Sequence, residues 1–228
     1  MHSYPSIYNL GHKAVADIFL DPVVVQEKID GGQFSFGMYT HHTYHGYKAR
    51  SRKMEIDVDN PVKQFAVAVE YTKTLPLLAN RTYRAEVVAQ SNVLKYQRQP
   101  KGSLILFDIN DYGEEFYLLP EVVVVEAHRL GLEYVGALYE GMVSNYADLK
   151  ALLGRESILG GPVEGIVIKN YHRFGVDKHP LFAKWVREEY KEAHKREWAP
   201  GPSVLEQIVA TLRHERRWVK AIEHLRDE

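Results

Sequence analysis

Short runs in which branched and aromatic residues alternate with polar ones fill most of this chain, and helical spacing interrupts them at a few places. Val23 to Ile29 and Gln33 to Tyr39 are two such runs, separated by Asp30-Gly31-Gly32, and the pattern predicts two strands joined at a tight turn. Thr43 to Lys48 predicts a third strand. Others are expected at Thr82 to Ala89, Leu104 to Asn110, Glu133 to Tyr139, Gly165 to Asn170 and Leu181 to Val186. Helical spacing begins at Pro61, where Asn60 offers an N-cap and Val62, Phe65, Val69 and Thr72 then fall on one side, predicting a helix to about Leu75. Helices are also expected at Pro120 to Leu130, Asn145 to Leu153 and Arg187 to Glu197. Strands and helices do not alternate strictly, so the expected class is α+β, with mostly antiparallel sheets and flanking helices.

Pro200-Gly201-Pro202 is the clearest break in the chain. Ser203 and Glu206 form a capping box after it, and Leu205, Ile208, Val209, Leu212, Val219, Ile222 and Leu225 make a helical stripe. The expected organisation is a main domain over residues 1–198 and a C-terminal helical appendage over 199–228.

Composition narrows the picture. Hydrophobic residues are 45% and charged residues 26% of the 228, the balance of a folded globular chain. There is no cysteine, which excludes disulfides, thiolate metal sites and cysteine nucleophiles, and makes a reducing, cytoplasmic setting the expectation. No run approaches the ~20 apolar residues of a bilayer span, and Met1 to Leu10 lacks the basic-then-apolar pattern of an export signal. Neither membrane insertion nor export is expected. Lys and Arg total 29 against 30 Asp and Glu, so any grip on a polyanion must come from a local basic patch.

Candidate chemistry centres on Glu27-Lys28-Ile29-Asp30-Gly31, which puts an amine at the end of an apolar strand just before glycine. Alone, the tetrapeptide Lys28-Ile29-Asp30-Gly31 reads sooner as a hairpin turn with a solvated lysine. Further elements follow in order: Arg50-Ser51-Arg52, Arg84-Ala85-Glu86-Val87, Leu106-Phe107-Asp108-Ile109, Glu164-Gly165-Ile166-Val167-Ile168-Lys169 and Phe182-Ala183-Lys184-Trp185-Val186. This ordered set, spanning about residues 23 to 190, resembles the covalent nucleotidyltransferases, the superfamily of polynucleotide ligases and capping enzymes. Within it the set is most similar to ATP-dependent RNA ligases of the phage-type and RNA-editing group.

The resemblance implies an α+β adenylyltransferase domain in which Lys28 carries AMP taken from ATP. Attack on the α-phosphate needs an uncharged amine, whereas a free lysine has a pKa near ~10.4. Cations at Lys169 and Lys184, implied to contact the α-phosphate, and a bound Mg²⁺ or Mn²⁺ are the groups expected to help the amine shed its proton. By the same resemblance Glu27 recognises the adenine edge and Phe107 stacks on the base. Arg50 or Arg52 contacts phosphate. Glu86 holds the ribose or assists metal binding, and Glu164 positions the divalent ion. Gln33, five residues after the nucleophile, assists substrate binding. The chain departs from the family at its last element, reading Lys184-Trp185-Val186 where lysine-any-lysine is common, so Lys169 is expected to carry more of the burden.

Of the eleven histidines, His41, His42 and His45 near a predicted hairpin end fit no helical pair and no zinc pattern; they read as a solvated loop. His172 and His179 receive no role. The expected partners are ATP and nucleic acid, with no obligate protein partner. RNA is favoured over DNA because the stretch after the last motif has no room for the ~70–100-residue barrel that DNA ligases generally carry. Arg213, Arg216, Arg217 and Lys220 are expected to touch the nucleic-acid backbone. The alternatives are a minimal DNA ligase and a non-catalytic nucleotide- or RNA-binding protein that keeps the fold.

Overall fold

The computed structural model describes residues 1–41, 43–88 and 94–190. The chain divides into two compact units, Met1–Tyr190 and Lys191–Glu228. The predicted C-terminal stripe, its basic residues and most of the predicted helix at 187–197 lie outside the described residues.

Among the described residues, the ten strands are β1 (Tyr8–Asn9), β2 (Val23–Lys28), β3 (Gly32–His41), β4 (Tyr44–Ser51), β5 (Glu55–Ile56), β6 (Arg81–Val87), β7 (Leu104–Asp111), β8 (Ala137–Gly141), β9 (Gly165–Phe174) and β10 (Pro180–Val186). Helices α1 (Lys63–Lys73), α2 (Pro120–Leu130) and α3 (Tyr146–Leu152) intervene. The strands form two five-stranded sheets, β1-β10-β9-β2-β8 and β5-β4-β3-β6-β7, antiparallel at every pairing except β1 with β10. The expected α+β class with mostly antiparallel sheets is the observed one.

Side chains alternate across a strand, so each sheet sorts its residues into two faces. The first sheet buries Val23, Val25, Ile166, Ile168, Leu181 and Ala183 against Val15, Ile18 and Leu149. The second buries Phe34, Phe36, Tyr83, Ala85 and Leu106 against Phe65 and Val69 of α1 and Val123 and Ala127 of α2. Each large side chain so buried contributes roughly 1.5–3 kcal/mol. The alternate positions of the same strands carry Lys28, Lys169 and Lys184 on the first sheet and Arg84, Glu86 and Asp108 on the second. They meet in a polar cleft.

Asp30-Gly31-Gly32 does not close the predicted hairpin. β2 is flanked by β8 and β9, β3 by β4 and β6, and the chain passes here from one sheet to the other. The Asp30 N–H donates to the Tyr96 hydroxyl at 2.7 Å and its carboxylate accepts from Leu94 N–H at 3.0 Å, which ties the crossing to a distant segment. A Cβ on Gly31 would stand 2.4 Å from the Val87 carbonyl oxygen, so the close passage over β6 requires glycine. A second crossing explains why β8 starts later than predicted: around Tyr134 the chain first bridges β7, then joins β2. The first helix also starts later than expected. Asp57 Oδ1 accepts the N–H groups of Asp59 (3.1 Å) and Asn60 (3.3 Å), holding Asn60 in a turn, and Val62 becomes an N-cap without a side-chain bond.

Candidate active site

Lys28 ends β2 opposite Gly165, the residue after Glu164, so sheet register alone brings amine and carboxylate together. Lys28 Nζ lies 2.5 Å from Glu164 Oε2, and the Glu164 side chain is 1% exposed. Gly165 is needed where it stands: a Cβ there would meet the Trp185 carbonyl oxygen of β10 at 2.3 Å. β10 in turn carries Lys184, half-buried, its pKa lowered by desolvation and then by the charges of Lys28 and Arg52. Across the cleft, Glu86 of β6 is deep in the site although part of its side chain meets solvent. Desolvation pushes its carboxyl up to about 8, offset by Lys28 and reinforced by the negative charges of Glu164 and Asp30.

The two arginine candidates separate. Arg52 acts electrostatically on both Glu86 and Lys184 and donates to Ser6 Oγ at 3.0 Å. Arg50 instead reaches the Met1 carbonyl at 3.0 Å. Glu27, 5% exposed, accepts the Ile158 N–H on Oε2 at 2.9 Å, while its Oε1 is buried without a partner. Desolvation raises its pKa. Phe107 is the extra residue where the β6–β7 register shifts, and such a bulge re-aims a side chain. Its ring stands edge-on to Tyr4, with centroids 5.0 Å apart. Gln33, in register with Glu86, donates to Ser35 Oγ at 2.6 Å and leaves Oε1 without a partner.

Lys169 is placed otherwise than expected. Its Nζ is buried on Asp108 Oδ2 at 2.8 Å, donates to the Phe107 carbonyl at 3.2 Å and lies 5.2 Å from the Phe107 ring centroid. Desolvation lowers its pKa, offset by the Asp108 charge, and sheet register sets Lys169 opposite Val24, four residues before Lys28 on β2. Asp108 also accepts from the hydroxyls of Tyr171, at 2.7 Å, and Tyr4.

Sequence reasoning passed over Asp108, Arg84, Tyr4 and Tyr117. The first two lie inside quoted motifs, and a charged residue in an otherwise apolar strand was the available signal. Nothing local marks the tyrosines. His45 Nδ1 is 2.7 Å from Thr40 Oγ1, and His42 lies outside the described residues. Among the described residues no group of three His, Asp or Glu side chains is placed to hold a metal.

The order of charged motifs along the strands has a counterpart among known sequences: the RNA ligase profile matches residues 21–186, most of the chain. The chain belongs to the RNA ligase family. A search of curated proteins by sequence returned no match. Among solved structures, RNA ligase of Naegleria gruberi with PPi superposes with TM-score 0.61 at 19% identity, over 86% of this chain and 58% of that one. A lysine-to-methionine variant of that ligase with AMP and Mn gives 0.59 at 19% identity over 85% and 58%. A glutamate-to-alanine variant with ATP and Mn gives 0.60 at 19% over the same shares. This RNA ligase family member thus shares the fold of those proteins and spans rather more than half of their length. No helix among its described residues is long and apolar enough to cross a membrane.

Proposed function

We propose that the protein is an ATP-dependent RNA ligase acting through a lysyl-AMP intermediate on Lys28. The observation that carries this reading is the convergence of Lys28, Glu164, Glu86, Lys184 and Arg52 on one cleft between two sheets. The Lys28 amine, having lost a proton, attacks the α-phosphorus of ATP, the bond to the bridging oxygen breaks, and pyrophosphate leaves. A 5′-phosphate oxygen then takes the adenylyl group and Lys28 departs as the amine. A 3′-hydroxyl finally attacks the activated phosphate, AMP leaves, and a phosphodiester remains.

Lys184 and Arg52 place fixed positive charge where the α-phosphate gains negative charge, on the order of several kcal/mol in a desolvated cleft. Phe107 offers its face to adenine, and the unpartnered Glu27 Oε1 suits the base's exocyclic amine. Glu164 and Glu86 fit Mg²⁺ or Mn²⁺: they are two mutually repelling carboxyls, few in number, and such an ion prefers waters and substrate phosphates for its remaining ligands. When bound, the ion neutralises phosphate charge. We also favour RNA over DNA, action without a protein partner, and a reducing cytoplasmic setting; the absence of cysteine supports the last.

Incubation with ATP labelled at the α-phosphate should yield labelled protein whose label resists alkali and is released by acid, as a phosphoramidate is, and Lys28→Ala should abolish it. Equal labelling of that variant would overturn the assignment. Nicked duplexes with RNA or DNA on each side of the break decide the strand preference.

A further inference from the structure

On the cleft face of the second sheet, Arg50, Ser35, Arg84 and Asp108 form one row across β4, β3, β6 and β7. The adjacent row, Gln33 with Glu86, borders the nucleotide pocket, and residues two apart on a strand are separated by ~6.8 Å. Arg84 is 0% exposed. A buried guanidinium normally answers a carboxylate or another anion, because a lone charge removed from water is costly. Here every acceptor is neutral. Nε donates to Asn110 Oδ1 at 2.9 Å, and Nη1 to Ser35 Oγ and the His2 carbonyl, both at 2.9 Å. Nη2 stands 3.1 Å from His2 Nε2. The nearby carboxylate of Asp108 is spent on Lys169, Tyr171 and Tyr4.

Two further observations point the same way. The Tyr117 hydroxyl is buried without a partner, and both the Tyr117 ring, with centroids 5.2 Å apart, and the Arg84 guanidinium, at 6.0 Å from the ring centroid, lie against Tyr4. In addition, Arg50 in the same row gives its donor to the Met1 carbonyl. Met1 and His2 therefore cap the two guanidinium groups of this row with neutral acceptors, one row from Gln33 and Glu86.

We propose that Arg84 and Tyr117 form an anion subsite for a backbone phosphate of the polynucleotide substrate, held by His2 in the free protein and exchanged for phosphate on binding. A phosphate brings the guanidinium a full negative charge where it now meets only neutral acceptors, and it supplies the acceptor the Tyr117 hydroxyl lacks. The inference rests on the ligase reading. No bond is made or broken in the exchange.

Tyr117→Phe is the decisive variant, because it deletes only an unpaired buried hydroxyl: thermal stability should stay equal or rise. Affinity for a pre-adenylylated nicked RNA duplex, by fluorescence anisotropy, should nevertheless fall about tenfold, and sealing with it. Arg84→Gln should weaken binding further and make the slope of log K against log salt shallower by about one, and Arg84→Lys should restore that slope. His2→Ala should tighten nick binding; equal or weaker binding would overturn the exchange. Unchanged nick affinity in Tyr117→Phe would overturn the subsite. So would a loss confined to KM for ATP in self-adenylylation, which would assign the anion to the triphosphate. Wild-type protein that neither binds nor seals RNA would instead sink the ligase reading itself.

Discussion

At the scale of single residues, the Glu86 carboxyl has the most direct consequence. With desolvation pushing it up to about 8, it is mostly protonated at pH 7, so a divalent ion that uses it must expel a proton. Calorimetric Mg²⁺ titration at pH 7 in buffers of different ionisation enthalpy should report release of about one proton per ion, vanishing near pH 9 and in Glu86→Gln. The stability sign is also fixed. A carboxyl raised above its ordinary range costs the fold stability as pH climbs from about 4.5 through 8, and Glu86→Gln should remove that component of the melting profile. Lys169 has a structural consequence. Lys169→Met strips Asp108 of its buried cation and should cost ~3–5 kcal/mol in denaturant unfolding. Lys28, Glu86, Glu164 and Lys184 were legible in the sequence because their order along strands is itself the pattern. The partner of Lys169 was not, since it depends on a register shift at Phe107 and on a residue sixty positions away.

At the scale of elements, periodicity located the main strands and the helices α1 to α3 because each buries one face against a core. It could not say which sheet a strand joins. β2 and β3 are neighbours in sequence, and contacts with the distant Tyr96 and Leu94, with the passage over Val87, hold the crossing between them. Two-residue β1 and β5 are too short to carry a period. Glycine at strand mouths is where this architecture is least forgiving. Gly165→Ala would drive a Cβ into the β10 backbone and should cost ~1–3 kcal/mol or more, read as a lower denaturant midpoint, together with a marked loss of lysyl-AMP formation as Lys28 and Glu164 shift apart.

At the scale of the whole molecule, formal charge is −1, while Lys28, Lys184, Arg50 and Arg84 stand on the facing sides of the two sheets, with Arg52 in the turn after β4 acting on Glu86 and Lys184. Attraction for nucleic acid is accordingly local. A slope of log K against log salt no steeper than about −4 is expected for nicked duplex, as few phosphates are engaged at ~0.9 each; a slope near −8 would show a far longer track. The cleft's existence was legible as polar residues in apolar strands, but its walls belong to different sheets, a pairing no local pattern encodes.

The passage of the chain through Asp30-Gly31-Gly32 sets Lys28 within a few residues of the sole covalent link between β2 and β3. If the two layers rock against each other, that link and the second crossing at Tyr134, which Gln26 of β2 ties to it, define the axle, and Lys28 lies close beside it. Groups farther out, such as Arg50, sweep a wider arc. A nucleotide held at Lys28 would thus keep its register through any such movement.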